Sequence, residues 1–244
     1  MIKRIIATCV SMLSLTAIAK PITLTESNFV LLKGEITGMS VAKTILEVEQ
    51  LNTDTPTIYI QSPGGSVVAG MQFIQYMKDS GKKFTCIADV AISMAFSILQ
   101  ACDTRLVMTS STLMQHQVSF TLQGPAENVK TQYKYILDMT EEMEIMEAKR
   151  IGISLAKFKA DRLSDLWLTG HKAVDYGAAD KIEVVKCAPE LYETVVTVTE
   201  IEFIFKIDVD YSSCPLVRAP VGITPQGNVP EDKVKSLTDR LGSN

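Results

Sequence analysis

A glycine turn, one serine and one histidine follow one another between residues 62 and 116, in the order that acyl transfer to a serine requires. Ser62-Pro63-Gly64-Gly65 ends the apolar, β-branched run Thr57-Ile58-Tyr59-Ile60-Gln61. Its two glycines allow backbone conformations that bring amide N–H groups against a ligand, so the turn can hold an oxyanion. Ser93 follows the apolar stretch 84–91 and opens a helical segment. Its hydroxyl is therefore expected at the positive end of a helix dipole, with the Met94 N–H pointing the same way. His116 closes Leu113-Met114-Gln115-His116 and supplies a candidate base. A serine hydroxyl is a poor nucleophile until an imidazole takes its proton. The competing structural roles are a helix N-cap for Ser93 and a satisfied core position for His116. The other histidine, His171, begins a polar helix and is expected to be exposed.

The elements that position these residues alternate. Residues 29–35 read as a strand, and residues 40–51 read as an amphipathic helix carrying Val41, Ile45, Leu46 and Val48. Asn52-Thr53-Asp54-Thr55-Pro56 breaks that helix. After the glycine turn, Val67, Met71, Ile74 and Met77 recur at helical spacing, and Gly81 is a natural stop. Such alternation predicts a mostly parallel sheet with right-handed crossovers, whose sites form at the carboxyl ends of the strands. Gly65 and Ser93 both stand at such ends. The longest helical pattern, 126–151, carries Val129, Tyr133, Ile136, Met139, Met143 and Met146 on one face and mixed charges on the other. That stripe can pack on its own domain or project into a neighbouring subunit. Thr169 is expected to cap a short helix ending before Gly177, and 181–185 reads as a closing strand.

A net charge of −4, from 24 basic and 28 acidic residues, leaves no electrostatic footprint for nucleic acid. No phosphate-cradling GxxxxGK[ST], dinucleotide GxGxxG or His-Glu-x-x-His occurs. With two distant histidines, a histidine-rich metal site is not expected, nor is any cofactor. Near the amino terminus, Lys3 and Arg4 precede an apolar stretch, 5–18, and Ala17-Ile18-Ala19 fits a small-x-small cleavage site. This is the layout of a signal peptide over 1–19, with a mature chain starting at Lys20 and exported to a periplasmic or extracellular space. The stretch is short for a bilayer span of about 20 residues, although an uncleaved membrane anchor is the alternative. Cys9 lies inside the apolar run, which argues against a lipoprotein.

Export leaves Cys86, Cys102, Cys187 and Cys214 in an oxidising compartment, where two disulfides are plausible. Four cysteines allow three connectivities. Cys86 with Cys102 is preferred, because a strand and the helix returning beside it would bring them together; Cys187 with Cys214 follows by elimination. The alternative is that Cys86 and Cys102 are small buried residues. The main domain is expected over 20–195. Residues 196–244 form a C-terminal appendage, with a β-like stretch 196–209, prolines at 215, 220, 225 and 230, and a helix bearing Val234, Leu237 and Leu241.

Several segments together resemble the Clp protease proteolytic subunit, within the superfamily that includes the enoyl-CoA hydratases, or crotonases. They are Ser62-Pro63-Gly64-Gly65-Ser66 with Ala69-Gly70-Met71, Ile92-Ser93-Met94-Ala95-Phe96, and Met114-Gln115-His116-Gln117. Ser164-Asp165-Leu166-Trp167-Leu168-Thr169 with Ala173-Val174-Asp175-Tyr176-Gly177 completes the set. The resemblance spans roughly residues 23–186. It implies an α/β fold: a spiral of repeated β-β-α units with a mostly parallel sheet and a projecting helical handle. It also implies Ser93 as nucleophile, His116 as general base and Asp165 as the residue that orients the histidine. Gly65 and Met94 would provide the oxyanion N–H groups, and Gly64, Ser66, Gln117 and Val118 would line the substrate path.

The resemblance implies a homo-oligomeric serine endopeptidase acting on peptides or unfolded segments. Two departures stand out. Ser164-Asp165 replaces the family's Arg-Asp, removing a charge used there between rings, and Gln117-Val118-Ser119-Phe120-Thr121-Leu122 replaces a proline and glycines with a β-prone alternation able to pair with an extended peptide. Export argues against an ATPase partner. Competing readings are a catalytically inactive scaffold or binding module, a membrane-anchored protease that degrades signal peptides, and an acyl-CoA enzyme.

Overall fold

The computed structural model describes residues 21–202 and 205–242. The expected signal peptide, Cys9 and the Lys20 start lie outside them. The chain runs through β1 (Ile22–Leu24), β2 (Phe29–Lys33), α1 (Gly38–Gln50), β3 (Thr57–Ser62), α2 (Val67–Asp79), β4 (Thr85–Ile92) and α3 (Met94–Ala101). It continues through β5 (Thr104–Gln115), α4 (Ala126–Ile151), α5 (Leu155–Asp161), β6 (Leu166–Thr169), α6 (Gly170–Tyr176), β7 (Lys181–Ile182) and β8 (Val185–Cys187). α7 (Pro189–Glu193) lies at the end of the main domain, β9 (Val195–Glu202) crosses into the appendage, and the appendage continues with β10 (Phe205–Ser212), β11 (Gly222–Gln226) and α8 (Glu231–Gly242).

This is an α/β fold with a mostly parallel central sheet. The sheet order is β2-β3-β4-β5-β6, with β7 also pairing β5. β2 to β5 are parallel and β6 runs antiparallel to β5. β3 and β4 are apolar on both faces, as strands covered on both sides must be. α1 starts two residues earlier than its apolar spacing suggests. Thr37 and Ser40 form a reciprocal cap, each side chain accepting from the other's backbone N–H, which makes Gly38 the first helical residue.

β4 and β5 change register midway. Residues 85–88 pair with 104–107, but 90–92 pair with 112–114, so the segment 108–111 of β5 faces Asp89 alone. Ser111 fills the gap: its hydroxyl donates to Ala88 O at 2.6 Å and accepts from Met108 N at 2.7 Å. Beyond this irregularity, the ends of β4 and β5 carry the residues singled out above.

One expected strand differs, and the alternating segment 117–122 pairs with no strand among the described residues, because β4 has ended at Ile92 and β6 begins opposite Gln115, so both neighbours of β5 run out there. Instead the Phe120 ring meets Tyr133 at 6.0 Å. The expected strand 181–185 divides: Lys181 and Ile182 extend the central sheet, whereas Val185–Cys187 pairs with β1. No helix among the described residues is long and apolar enough to cross a membrane.

The preferred cysteine pairs are the bonded ones, with Cα atoms 6.0 Å apart for Cys86–Cys102 and 5.8 Å apart for Cys187–Cys214. The second joins the appendage to a small core of Leu24, Tyr59, Ile87, Leu106 and Leu191. Two further contacts fasten the appendage. Arg218 pairs with the buried Asp89 at the register change, and Lys33 lies 4.0 Å over the Tyr211 ring. The antiparallel sheet β11-β10-β9 then packs Ile207 and Val209 against Leu237 of α8.

Candidate active site

Ser93 sits between β4 and α3 with φ +56° and ψ −122°, a conformation that costs a non-glycine residue about 1–3 kcal/mol. Its N–H donates to Met114 O at 2.8 Å, and its carbonyl accepts from Phe96 N at 2.9 Å. The turn is thus held from both sides. The Ser93 side chain makes no N-cap hydrogen bond, unlike Ser66, which accepts from Ala69 N. Its Oγ lies instead 2.8 Å from His116 Nε2.

The glycine turn packs directly beneath Ser93. Gly64 has φ +91°, and a Cβ there would lie 2.6 Å from Ile92 O and 2.7 Å from Ser93 Cβ. Gly65 has φ +146° and equally little room, its Cβ falling 2.5 Å from Ile36 O. Ile36 clamps the turn by donating to Gly64 O and accepting from Ser66 N, both at 2.8 Å. Among the described residues, that clamp leaves the Gly65 N–H without a hydrogen bond. Met94 is the first residue of α3, so its N–H has no helical carbonyl behind it. Its side chain is buried against Gly70 of α2, where a Cβ would approach Met94 Cγ to 2.3 Å. A cleft of about 90 Å³ opens here, lined by Gly65, Ser93, Met94, His116, Val118 and Met143 among others. Of the residues expected along the substrate path, Val118 lines it; Gly64, Ser66 and Gln117 do not.

His116 is half-buried at the end of β5, whereas His171 is exposed. Asp165 precedes β6 with φ +54° and is exposed. Since Gln115 pairs with Leu166 antiparallel, His116 and Asp165 are the next residues on facing strands. Among the described residues, no hydrogen bond joins them. Arg162, a conceivable partner for Asp165, pairs with Glu144 instead.

Sequence alone gives little warning of the polar cluster behind His116. Glu144 and Glu147 belong to the buried side of α4, correcting the expectation that its charges face away from the apolar stripe. Glu147 Oε1 accepts from Ser97 Oγ at 2.6 Å and Gln115 Nε2 at 2.5 Å. Burial raises its carboxyl to about 7, despite these donors and the nearby Arg162. The one available signal is Ser97, a hydroxyl one turn after Ser93 in a helix whose only other polar residue is Gln100. No group of three or more potential metal ligands occurs among the described residues.

The arrangement can activate a serine, stabilise an oxyanion and admit a narrow chain. A family model described as Clp protease matches residues 17–186. The ATP-dependent Clp protease proteolytic subunit 2 of Tropheryma whipplei (strain Twist) is 34% identical over 142 residues, which cover 54% of this chain and 77% of that protein.

Proposed function

The chain belongs to the Clp protease family, a family of serine-type peptidases, and on that premise we propose that it is an exported serine endopeptidase cleaving peptides or unfolded protein segments. The observation that carries the reading is the 2.8 Å hydrogen bond between Ser93 Oγ and His116 Nε2. His116 Nε2 takes the Ser93 proton as Oγ attacks the scissile carbonyl carbon. The oxygen of the tetrahedral intermediate then lies between the Gly65 and Met94 N–H groups, each worth on the order of 3 kcal/mol to such a site. His116 returns the proton to the leaving amine, and water, activated by the same imidazole, hydrolyses the acyl-serine. Asp165 is assigned the Nδ1 side of the ring. The Ser93–His116 pair is formed, and Asp165 supports the imidazole from the facing position of the β5–β6 pairing.

A homo-oligomer working without its own ATPase is part of the proposal, as is export. Two disulfides support an oxidising compartment. Intact mass of exported material should correspond to a chain starting at Lys20; a mass that includes 1–19 would favour the anchored form. For the chemistry, a fluorophosphonate probe should label the wild-type protein and leave Ser93→Ala unlabelled, with His116→Ala nearly as impaired. Full labelling of Ser93→Ala overturns the assignment.

A further inference from the structure

The backbone of His116 is gripped at both of its polar groups by side chains rather than by the sheet. Its N–H donates to Gln115 Oε1 at 3.0 Å, and its carbonyl accepts from Arg162 Nη1 at 3.0 Å. Both side chains lead to the same buried cluster. Arg162 is paired with Glu144, whose other oxygen meets Lys159 at 3.2 Å. Gln115 is held by Glu147, and Glu147 also holds Ser97, one helical turn beyond Ser93. One carboxylate oxygen therefore links the helix that carries Ser93 to the strand that carries His116. Among the described residues, the second oxygen, Oε2, is buried without a hydrogen-bond partner, and so is Arg162 Nε.

We propose that Glu147, acting through Gln115 and Ser97, is a positioning residue whose ionised form holds His116 against Ser93. This rests on the serine-peptidase reading above. The direction follows from donors and acceptors. An ionised carboxylate only accepts, so it fixes the Gln115 amide with its nitrogen inward and its oxygen toward the His116 N–H. A protonated Glu147 carries an O–H that needs an acceptor, and the side chains bonded to its Oε1 are those of Ser97 and Gln115. Capturing Gln115 Oε1 turns the amide over and takes it from His116.

The charged groups facing Glu147 are few. Glu144 on its own helix opposes ionisation and Arg162 favours it. α3 carries no ionisable side chain, and Arg105 of β5 is engaged by Asp180 and Gln100. The carboxyl is raised to about 7 chiefly by burial, which places the change within the range where the protein would work.

The test is the rate of fluorophosphonate labelling of the full chain from pH 5 to 9, in wild type, Glu147→Gln and Glu147→Leu. Glu147→Gln keeps an accepting oxygen but cannot titrate. The wild-type rate should fall on the acid side with a dependence that includes the Glu147 proton. In Glu147→Gln the dependence should be shallower by that one proton. Glu147→Leu, which has no acceptor, should label about 10- to 100-fold more slowly at every pH, the scale of loss that a misplacement near 1 Å brings. An identical proton dependence in wild type and Glu147→Gln overturns the proposal, even if Glu147→Leu fails to fold. A wild-type protein that never labels overturns the serine-peptidase reading and this inference with it.

Discussion

Asp165 stands opposite His116 across the β5–β6 pairing, yet among the described residues the two make no hydrogen bond. Its backbone, at φ +54°, is in the left-handed region, which an aspartate tolerates better than most residues. The proposed triad thus has a formed half and a half that must close. Asp165→Asn should retain the fold and lose roughly 10³- to 10⁴-fold in peptidase turnover, the scale for a triad with the wrong imidazole tautomer. Steady-state kinetics decide this. Turnover within threefold of wild type would show a Ser93–His116 dyad that works without it.

The Glu147 carboxyl also makes stability depend on pH. Its ordinary value of 4.5 is raised to about 7 in the fold. A raised carboxyl contributes stability that is fully present below about 4.5 and is lost as pH rises through 7, amounting to about 3 kcal/mol. Urea unfolding of wild type and Glu147→Gln should show the variant gaining on wild type between pH 5 and 8 by about that amount. Parallel curves would mean that Glu147 is not titrating there. The ionised form proposed to be active is therefore the less stable one.

Gly70 supports the proposed oxyanion site from behind. A methyl group there would lie 2.3 Å from Met94 Cγ, 2.6 Å from its Cε and 2.7 Å from its sulfur, so Gly70→Ala must displace Met94. The variant should lower kcat at least tenfold with KM little changed, since the N–H acts on the transition state. Adding Met94→Ala removes the obstruction and should recover part of the loss, a coupling that a double-mutant cycle measures. Independent, additive losses would separate Met94 packing from catalysis.

α4 divides into two halves. Met143, Glu144, Glu147 and Ala148 are buried on the protein's own body, while Tyr133, Tyr135 and Leu137 are exposed at 49%, 64% and 44%. The proposed contact between subunits falls on the exposed half. Tyr135→Glu with Leu137→Glu should shift the protein toward monomer in light scattering and leave its monomer fold intact by circular dichroism. Unchanged mass in solution would assign assembly to another surface. Substituting Met143 would test something else, because Met143 is buried and lines the cleft.

The parallel order of strands and the nearness of Ser93 to His116 were legible because local signals carry them: glycines where the backbone turns, apolar runs of strand length, and one serine beginning a helix. The Glu147 cluster was not. Charged residues on a long helix ordinarily mark its wet face, and burial of Glu144 and Glu147 depends on partners drawn from α3, β5 and the segment after α5. The alternation at 117–122 forms no strand within the chain for the complementary reason. A β-prone pattern becomes a strand only where a neighbouring strand offers hydrogen bonds, and there none remains.

The Cys86–Cys102 bond, with a separation of 16 residues, closes a covalent ring around Ser93. Linkage of a loop near that size restricts the disordered chain by about 3 kcal/mol. Its effect reaches past the folded state. When an oxidised molecule unravels, the turn bearing the proposed nucleophile stays looped between the start of β4 and the end of α3, and refolding begins with those ends already together. A nick inside the ring would break the polypeptide without releasing either fragment. In a reduced chain both protections vanish, so brief reductant during refolding should slow the return of probe-reactive Ser93 more than it slows the return of secondary structure.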